Sequence, residues 1–466
     1  MLTCPLSRES WKASGCKRQF RFWVHLLAIC ALPSAICGAQ NLSGTSRNSV
    51  TGAENTEPTR APVTITLQDA INRAQKIEPV FYAAQTDLGL AHQGRVQARA
   101  AFLPSLNQTT GFIYTQGNRT DPGIFIGANG VHEYISQAVV HQSLAVADFA
   151  EYRRTGAMEA VARAQAEIAR RGLTVTVVQA YYGFVAAQRK YATAQQGATE
   201  AARFFGISQK LENGGEVAHS DTVKAELQYE QQKRDFQEAE HQMVKARLDL
   251  AVLVFQTFNQ DFTVVDDLQL APPLPTFPEI QDLAGKSNPQ LKAVQESLRA
   301  SDQEVWVTKG GLLPALSVDY QYGIDAARFA TRTDGTSNLG YGVAATLQIP
   351  IWDWGANISK VKQANLKQKQ AKVMLSAAQR ELIANLRSFF AEARLARDQT
   401  ETLSHSADLA AESLRLTTFR YQGGEATVLE VVDAQNSLVL ARNAYDDGQA
   451  RYRVALANLQ TLTGNF

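Results

Sequence analysis

From Leu382 to Gln435 the chain reads LIANLRSFFAEARLARDQTETLSHSADLAAESLRLTTFRYQGGEATVLEVVDAQ. On the way up, a 3-4-3-4 apolar spacing connects Leu382, Leu386, Phe389, Ala393, Ala396, Thr400, Leu403, Ala407, Ala410 and Leu414, with Thr400 the one polar member. After Gly423-Gly424 the same spacing resumes through Val431, Ala434, Leu438, Ala441, Tyr445, Gly448, Tyr452, Ala455, Leu459 and Leu462. A seven-residue repeat held this long marks helices that coil around neighbours, because 3.5 residues per turn keeps one stripe facing its partner. The run from Ile351 to Phe466 contains no proline, so it predicts one long helical hairpin. Its ascending arm, Gly355 to Tyr421, would reach roughly 100 Å at about 1.5 Å per residue, longer than a compact domain needs.

The chain has 466 residues, 45% hydrophobic and 20% charged, with a net charge of +1. That balance gives no electrostatic case for nucleic acid as a partner. All four cysteines, Cys4, Cys16, Cys30 and Cys37, fall in the first forty residues. There Arg8, Lys12, Lys17, Arg18 and Arg21 precede an apolar stretch, Phe22 to Ile36, that ends near Cys37-Gly38-Ala39. This is the pattern of a secretory signal peptide over 1–39, too short to span a membrane as a helix. A lipoprotein signal is the alternative, but isoleucine precedes both Cys30 and Cys37 where a small residue is preferred. Residues 40–63, rich in Ser, Thr, Asn and Gly, read as a flexible leader. Thr66 and Asp69 then form a capping pattern for a helix punctuated at Pro79.

The chain repeats itself. Ile77-Glu78-Pro79 through Phe102-Leu103-Pro104 reappears as Ser287-Asn288-Pro289 through Leu312-Leu313-Pro314, the prolines 25 apart both times (104 − 79 and 314 − 289). Gly214-Gly215-Glu216 likewise matches Gly423-Gly424-Glu425. The pattern predicts a tandem duplication, with a first repeat over 64–271 and a second over 272–466. Each would hold a helix, a Leu-Pro stop, a strand pair and a long hairpin. Phe258 to Pro278, with Pro272, Pro273, Pro275 and Pro278, is the expected helix-free join.

Between stop and hairpin the period changes to two. Leu316, Val318, Tyr320, Tyr322 and Ile324 alternate with Ser317, Asp319, Gln321, Gly323 and Asp325. Leu339, Tyr341, Val343, Ala345, Leu347 and Ile349 alternate with Gly340, Gly342, Ala344, Thr346 and Gln348. Strands are expected near 105–116, 134–147, 315–325 and 338–349, each long enough to cross a bilayer when tilted. An amphipathic sheet over a soluble core would show the same alternation. An exported chain with two coiled rods has no evident core for those faces, which favours the membrane. Four strands cannot close a barrel, and open edges in lipid leave backbone groups unpaired, so the chain should oligomerise. A dimer would supply eight strands and a filled interior; a trimer, twelve and room for a lumen.

The duplicated plan, Ile349-Pro350-Ile351-Trp352-Asp353-Trp354-Gly355 ahead of the second rod, and Arg420-Tyr421-Gln422-Gly423-Gly424-Glu425 followed by Val428-Leu429-Glu430-Val431-Val432-Asp433-Ala434-Gln435 resemble the TolC-like outer-membrane efflux proteins. The resemblance covers about Ile65 to Gly464. It implies an α+β membrane protein: a homotrimer whose long coiled hairpins form an α-barrel in the periplasm and whose strands, four from each chain, share a transmembrane β-barrel in the outer-membrane bilayer. It also implies the exit duct of a tripartite efflux or type I secretion system, passively passing substrates from an inner-membrane pump through a periplasmic adaptor protein. By the same resemblance Glu430 and Asp433 would form an acidic ring at the periplasmic gate. The hairpin tips, Asn213, Gly214 and Gly215 in the first repeat and Tyr421, Gln422, Gly423 and Gly424 in the second, would contact the adaptor. Trp352 and Trp354 fit an aromatic girdle at the membrane interface. Trp354 is inserted before the glycine that the pattern places directly after Asp353.

No catalytic pattern emerges. The seven histidines show no metal-binding spacing and the chain beyond Cys37 offers no thiolate, so no enzyme activity, metal or cofactor is expected. A periplasmic coiled-coil adaptor or a scaffold without a channel is the alternative. An adaptor should carry one hairpin between small β-domains, and a scaffold should lack alternating strands.

Overall fold

The computed structural model describes residues 63–114, 132–257, 261–270, 272–326 and 337–464, with Gly335, all within the unit from Arg60 to Phe466. The signal peptide over 1–39, the leader as far as residue 62, positions 115 and 116 of the first expected strand, and Phe258 lie outside the described residues.

The elements come in two successive sets. The first is β1 (Val63–Ile65), α1 (Leu67–Ile77), α2 (Pro79–Ala100), β2 (Ser105–Tyr114), β3 (His132–Leu144), α3 (Val146–Asn213) and α4 (His219–Val254). The second is β4 (Phe262–Val264), α5 (Phe277–Ser287), α6 (Pro289–Gly310), β5 (Ala315–Ala326), β6 (Leu339–Gln348), α7 (Ala356–Gln422) and α8 (Val428–Thr463). Helix lengths run 11, 22, 68 and 36 residues, then 11, 22, 67 and 36. The strand expected over 134–147 begins at His132 and ends at Leu144, since Val146 and Ala147 already open α3 after an extended Ala145.

Local chemistry starts the short helices. Thr66 and Asp69 close a capping box on α1, and Thr276 with Glu279 repeats it on α5. Pro278, expected to forbid helix, lies in the first turn of α5. Proline is tolerated there because that turn's N–H has no intrahelical acceptor to lose. Pro79 and Pro289 open α2 and α6 behind Glu78 and Asn288 in the same way, so the helix after Thr66 is two helices.

Each long helix changes partner at mid-length. The first half of α7 lies along α6, where Asn357 Nδ2 donates to the Gly311 carbonyl at 3.3 Å and Gln368 Nε2 to Asp302 at 2.8 Å. Its second half lies along α8, where Arg451 donates to Glu392 at 2.7 Å and Gly448 faces Leu403. A Cβ on Gly448 would stand 2.6 Å from Leu403 Cδ1, so the seam closes around a position without a side chain. The heptad residues Leu386, Ala393, Ala396, Val431, Ala434, Tyr452, Ala455, Leu459 and Leu462 are buried. The other long helix, α3, meets Gly310 of α6 at Ala147 near its start and, further along, pairs Arg189 and Lys190 with Asp446 and Asp447 of α8.

The parallel pair β1–β4, which the sequence pattern did not reveal, packs with α1 on the middle of α3 and the end of α4. Ile65, Ala70, Tyr181, Tyr182, Leu250, Val254 and Phe262 form that core. Ile280 and Ala284 of α5 cover Leu386, Leu459 and Leu462 in the second set. Arg171, buried between the two, donates Nη1 to the Thr461 carbonyl at 2.8 Å, Nη2 to the Ser287 carbonyl at 3.3 Å and Nε to Glu167 at 2.7 Å. One guanidinium thus satisfies terminal carbonyls of α8 and α5, where positive charge is also favoured by the helix dipoles.

The remaining strands form one antiparallel sheet in the order β2-β3-β5-β6. Its register sets Leu106, Val140, Tyr320 and Val343 in one cross-strand row, and Gln108, Ala138, Tyr322 and Tyr341 in the next on the same face. The other face carries Gln137, His141, Asp319 and Gln321, with His141 Nδ1 2.6 Å from Asp319 and Gln137 donating to Asp325 at 3.3 Å. A Cβ on Gly323 would lie 2.1 Å from the Ser136 carbonyl oxygen, so the β3–β5 pairing needs glycine there.

The mid-length junction makes a stability prediction. Arg171→Met should cost about 2–4 kcal/mol by stranding two carbonyls and a partly buried carboxylate, read as a lower melting temperature in detergent. Arg170 first, then Arg171, hold the Glu167 carboxyl down to about 2 against the opposing effect of burial. A lowered carboxylate value adds stability that is complete above the unfolded value near 4.5 and is lost as pH falls toward 2. Wild type should therefore lose stability through that acid window, and Glu167→Gln should flatten the loss. An unchanged melt in Arg171→Met would mean that apolar contacts alone hold the junction.

Candidate functional site

The two hairpin tips have nearly the same backbone. Gly215 and Gly424 adopt φ of 76° and 77°, a left-handed conformation that glycine takes at least cost. The Glu216 N–H donates to Leu211 O and the Glu425 N–H to Arg420 O, both at 2.9 Å. These bonds span five residues and close the ends of α3 and α7 in the Schellman manner. Asn213, Gly214, Gly215, Gln422, Gly423 and Gly424 are exposed, as a contact surface requires.

Tyr421 is not part of that surface. It is 4% exposed, its ring centroid is 4.9 Å from that of Phe204, and its hydroxyl is 3.0 Å from Ser208 Oγ. With Ala225, Val428 and Val431 it forms the small core that joins the two tips. The signal was present in the sequence: Tyr421 is seven residues beyond Leu414 and continues the same stripe inward. A layer of amides follows. Gln228 and Gln232 of α4 donate to Asn436 Oδ1 of α8 at 2.8 and 3.1 Å, and Gln435 is buried beside them.

Glu430 and Asp433 differ in what they can offer. Glu430 is the third residue of α8, where its carboxylate accepts from the Thr427 N–H at 3.1 Å and the Thr427 hydroxyl at 3.0 Å. Arg420 stands 3.8 Å away. The Thr427 bonds first, and then Arg420, hold the Glu430 carboxyl below the usual range. Asp433, one turn on, is exposed and has no ion-pair partner among the described residues. At the matching positions of the first tip, Asp221 and Lys224 pair with each other at 3.2 Å, and Ala218, ahead of α4, supplies no side-chain cap. The second tip alone therefore presents an unpaired carboxylate here.

At the opposite end of α7, Asp353 caps the helix by accepting from the Gly355 N–H at 3.0 Å and the Asn357 N–H at 2.8 Å. The extra residue before Gly355 is absorbed by two consecutive left-handed residues, Trp354 at φ 56° and Gly355 at φ 81°. Trp352 and Trp354 meet edge to face at 5.7 Å and are 75% and 89% exposed.

A profile describing the outer membrane efflux proteins matches the sequence twice, over residues 70–254 and 281–465. The chain belongs to that family. It is 22% identical to the outer membrane protein TolC of Vibrio cholerae over 405 residues, 86% of this chain and 91% of that protein. It is also 22% identical to the alkaline protease secretion protein AprF of Pseudomonas aeruginosa, across 85% of this chain and 84% of that one. The fold superposes on the Campylobacter jejuni CmeC outer membrane channel with a TM-score of 0.73 at 16% identity, over 91% of this chain and 94% of that chain. This outer membrane efflux protein is an outer-membrane channel, with the sheet in the membrane and the helices in the periplasm. The adaptor and scaffold alternatives do not stand: there are two hairpins, and a four-stranded sheet joins them.

Tyr421→Phe removes one hydroxyl and leaves the apolar packing. It should loosen the two tips by about 1 kcal/mol, seen as more frequent openings in single-channel recordings; unchanged gating would show that the ring alone pins the tips.

Proposed function

We propose that three copies of this chain share one twelve-stranded barrel and form the passive exit duct of a tripartite efflux or type I secretion system. The observation that carries this is the sheet: its outer strands β2 and β6 pair on one side only among the described residues, while one face is apolar along β5 and β6. In hydrocarbon each unpaired backbone group costs several kcal/mol, so the edges must pair with other copies. Twelve strands rather than eight leave a lumen. The matching sets of elements support descent from one duplicated unit, with halves over 64–271 and 272–466.

In this reading the tips face a periplasmic adaptor through Asn213, Gly214, Gly215, Gln422, Gly423 and Gly424, and an inner-membrane pump delivers the substrate. Asp433 supplies the acidic ring at the aperture. Glu430 holds the first turn of α8 that positions it. Trp352 and Trp354 lie at the membrane interface, on the periplasmic side.

Membrane fractionation with cross-linking tests the assembly; a soluble monomer would overturn it. In planar bilayers Asp433→Asn should abolish most of the cation preference, and Glu430→Gln should leave selectivity nearly unchanged because the amide oxygen still caps Thr427. Equal loss in both variants would return Glu430 to the aperture.

A further inference from the structure

Beyond residue 62 the chain has three tryptophans, Trp306, Trp352 and Trp354. All three are exposed, Trp306 by 54%. They also lie at one level, where helices meet strands. Trp306 is one turn before the end of α6, and Trp352 and Trp354 immediately precede α7. The end of α6 is tied to both neighbours there, to α7 by the bond from Asn357 to the Gly311 carbonyl and to α3 by the contact of Gly310 with Ala147. Tryptophan left in water on this scale is a poor use of a large apolar ring, and membrane–water interfaces are where such rings gather.

Cations accompany these rings. The Lys309 ammonium is 4.9 Å from the Trp306 ring centroid, and the Arg153 guanidinium 4.5 Å from that of Phe149. Neither has an ion-pair partner among the described residues. From Ala356 to Arg380 the chain holds no acidic residue and five lysines, 360, 362, 367, 369 and 372, all exposed and none ion-paired among the described residues. Ile358, Lys362, Lys369 and Lys372 follow one another at steps of four, seven and three, so they share one face of α7. The equivalent stretch of α3 is arranged differently, since Arg154, Arg163 and Arg170 pair with Glu151, Glu159 and Glu167. Among the described residues that stretch of α3 leaves Arg153 as its one unpaired cation, against five lysines on α7.

We propose that this collar binds the headgroups of anionic phospholipids in the leaflet on the helical side. The inference rests on the outer-membrane reading above. Two features select this occupant. The collar continues the apolar face of β6 through exposed Leu347, Ile349 and Ile351 into the two tryptophans, so the bilayer that covers the strand also reaches the rings. The charge that follows is of one sign, and basic residues near a membrane surface are drawn to anionic lipid. Cations held against aromatic rings sit at headgroup depth without burying their charge.

The test is tryptophan quenching with the full chain in bilayers of phosphatidylethanolamine doped with a brominated lipid. Brominated phosphatidylglycerol should quench about twofold more than brominated phosphatidylethanolamine at equal mole fraction. W306F/W352F/W354F gives the background quenching. The variant R153Q/K309Q/K362Q should keep the quenching but lose the preference, and added salt should do the same. Equal quenching by both lipids in the unaltered chain, or a preference that survives R153Q/K309Q/K362Q, would overturn the proposal. No quenching by either lipid would instead remove the sheet from the bilayer, which is failure of the underlying reading.

Discussion

Unpaired backbone in hydrocarbon is the constraint on which the rest of this structure depends. Four strands with two open edges cannot exist in lipid alone, whereas the same strands in a closed ring satisfy every N–H and C=O. Closure by several copies then places the helices that leave the strands in a ring of their own. A wall of helices one layer thick has no interior core, which explains why Val80, Leu90, Leu366 and Val373 remain exposed in one chain. In the proposed assembly their partners would be neighbouring helices of other copies.

The partner change along α3 and α7 solves a length problem. A helix of 67 or 68 residues needs continuous burial, but its hairpin mate is 36 residues long and ends midway. The 22-residue helices α6 and α2 take over beyond that point. Helix ends therefore collect at one height, and their terminal carbonyls must be met there. Arg171 does this for two of them, and the small layer of β1, β4, α1 and α5 covers the apolar surface exposed at the change.

The two repeats have diverged in charge more than in backbone. Their tips share the glycine geometry, but Asp221–Lys224 is neutral as a pair where Glu430 and Asp433 are both acidic. Near the membrane the order reverses, with α3 paired except at Arg153 and α7 basic. One long helix hairpin thus carries negative charge at its tip and positive charge at its membrane end, and the other carries little of either. Divergence of this kind costs nothing in packing, because these side chains lie outside the heptad seam.

The periodic features were legible in the sequence because they depend on neighbours three, four or two residues away. The heptad stripe, the alternating strands, the Thr66–Asp69 cap and the glycine turns each follow from local geometry. The tertiary structure alone decided which element faces which. It paired β1 with β4, about 200 residues apart. It also stopped α8 at the middle of α7 and set Ser208 of α3 against the Tyr421 hydroxyl. Two carboxylates three residues apart look equivalent as a pattern. Their difference is itself local, since Thr427 three residues before Glu430 makes it a capping-box partner, whereas Asp433 has no hydroxyl at that spacing; what no local period encodes is which chain segment each then faces.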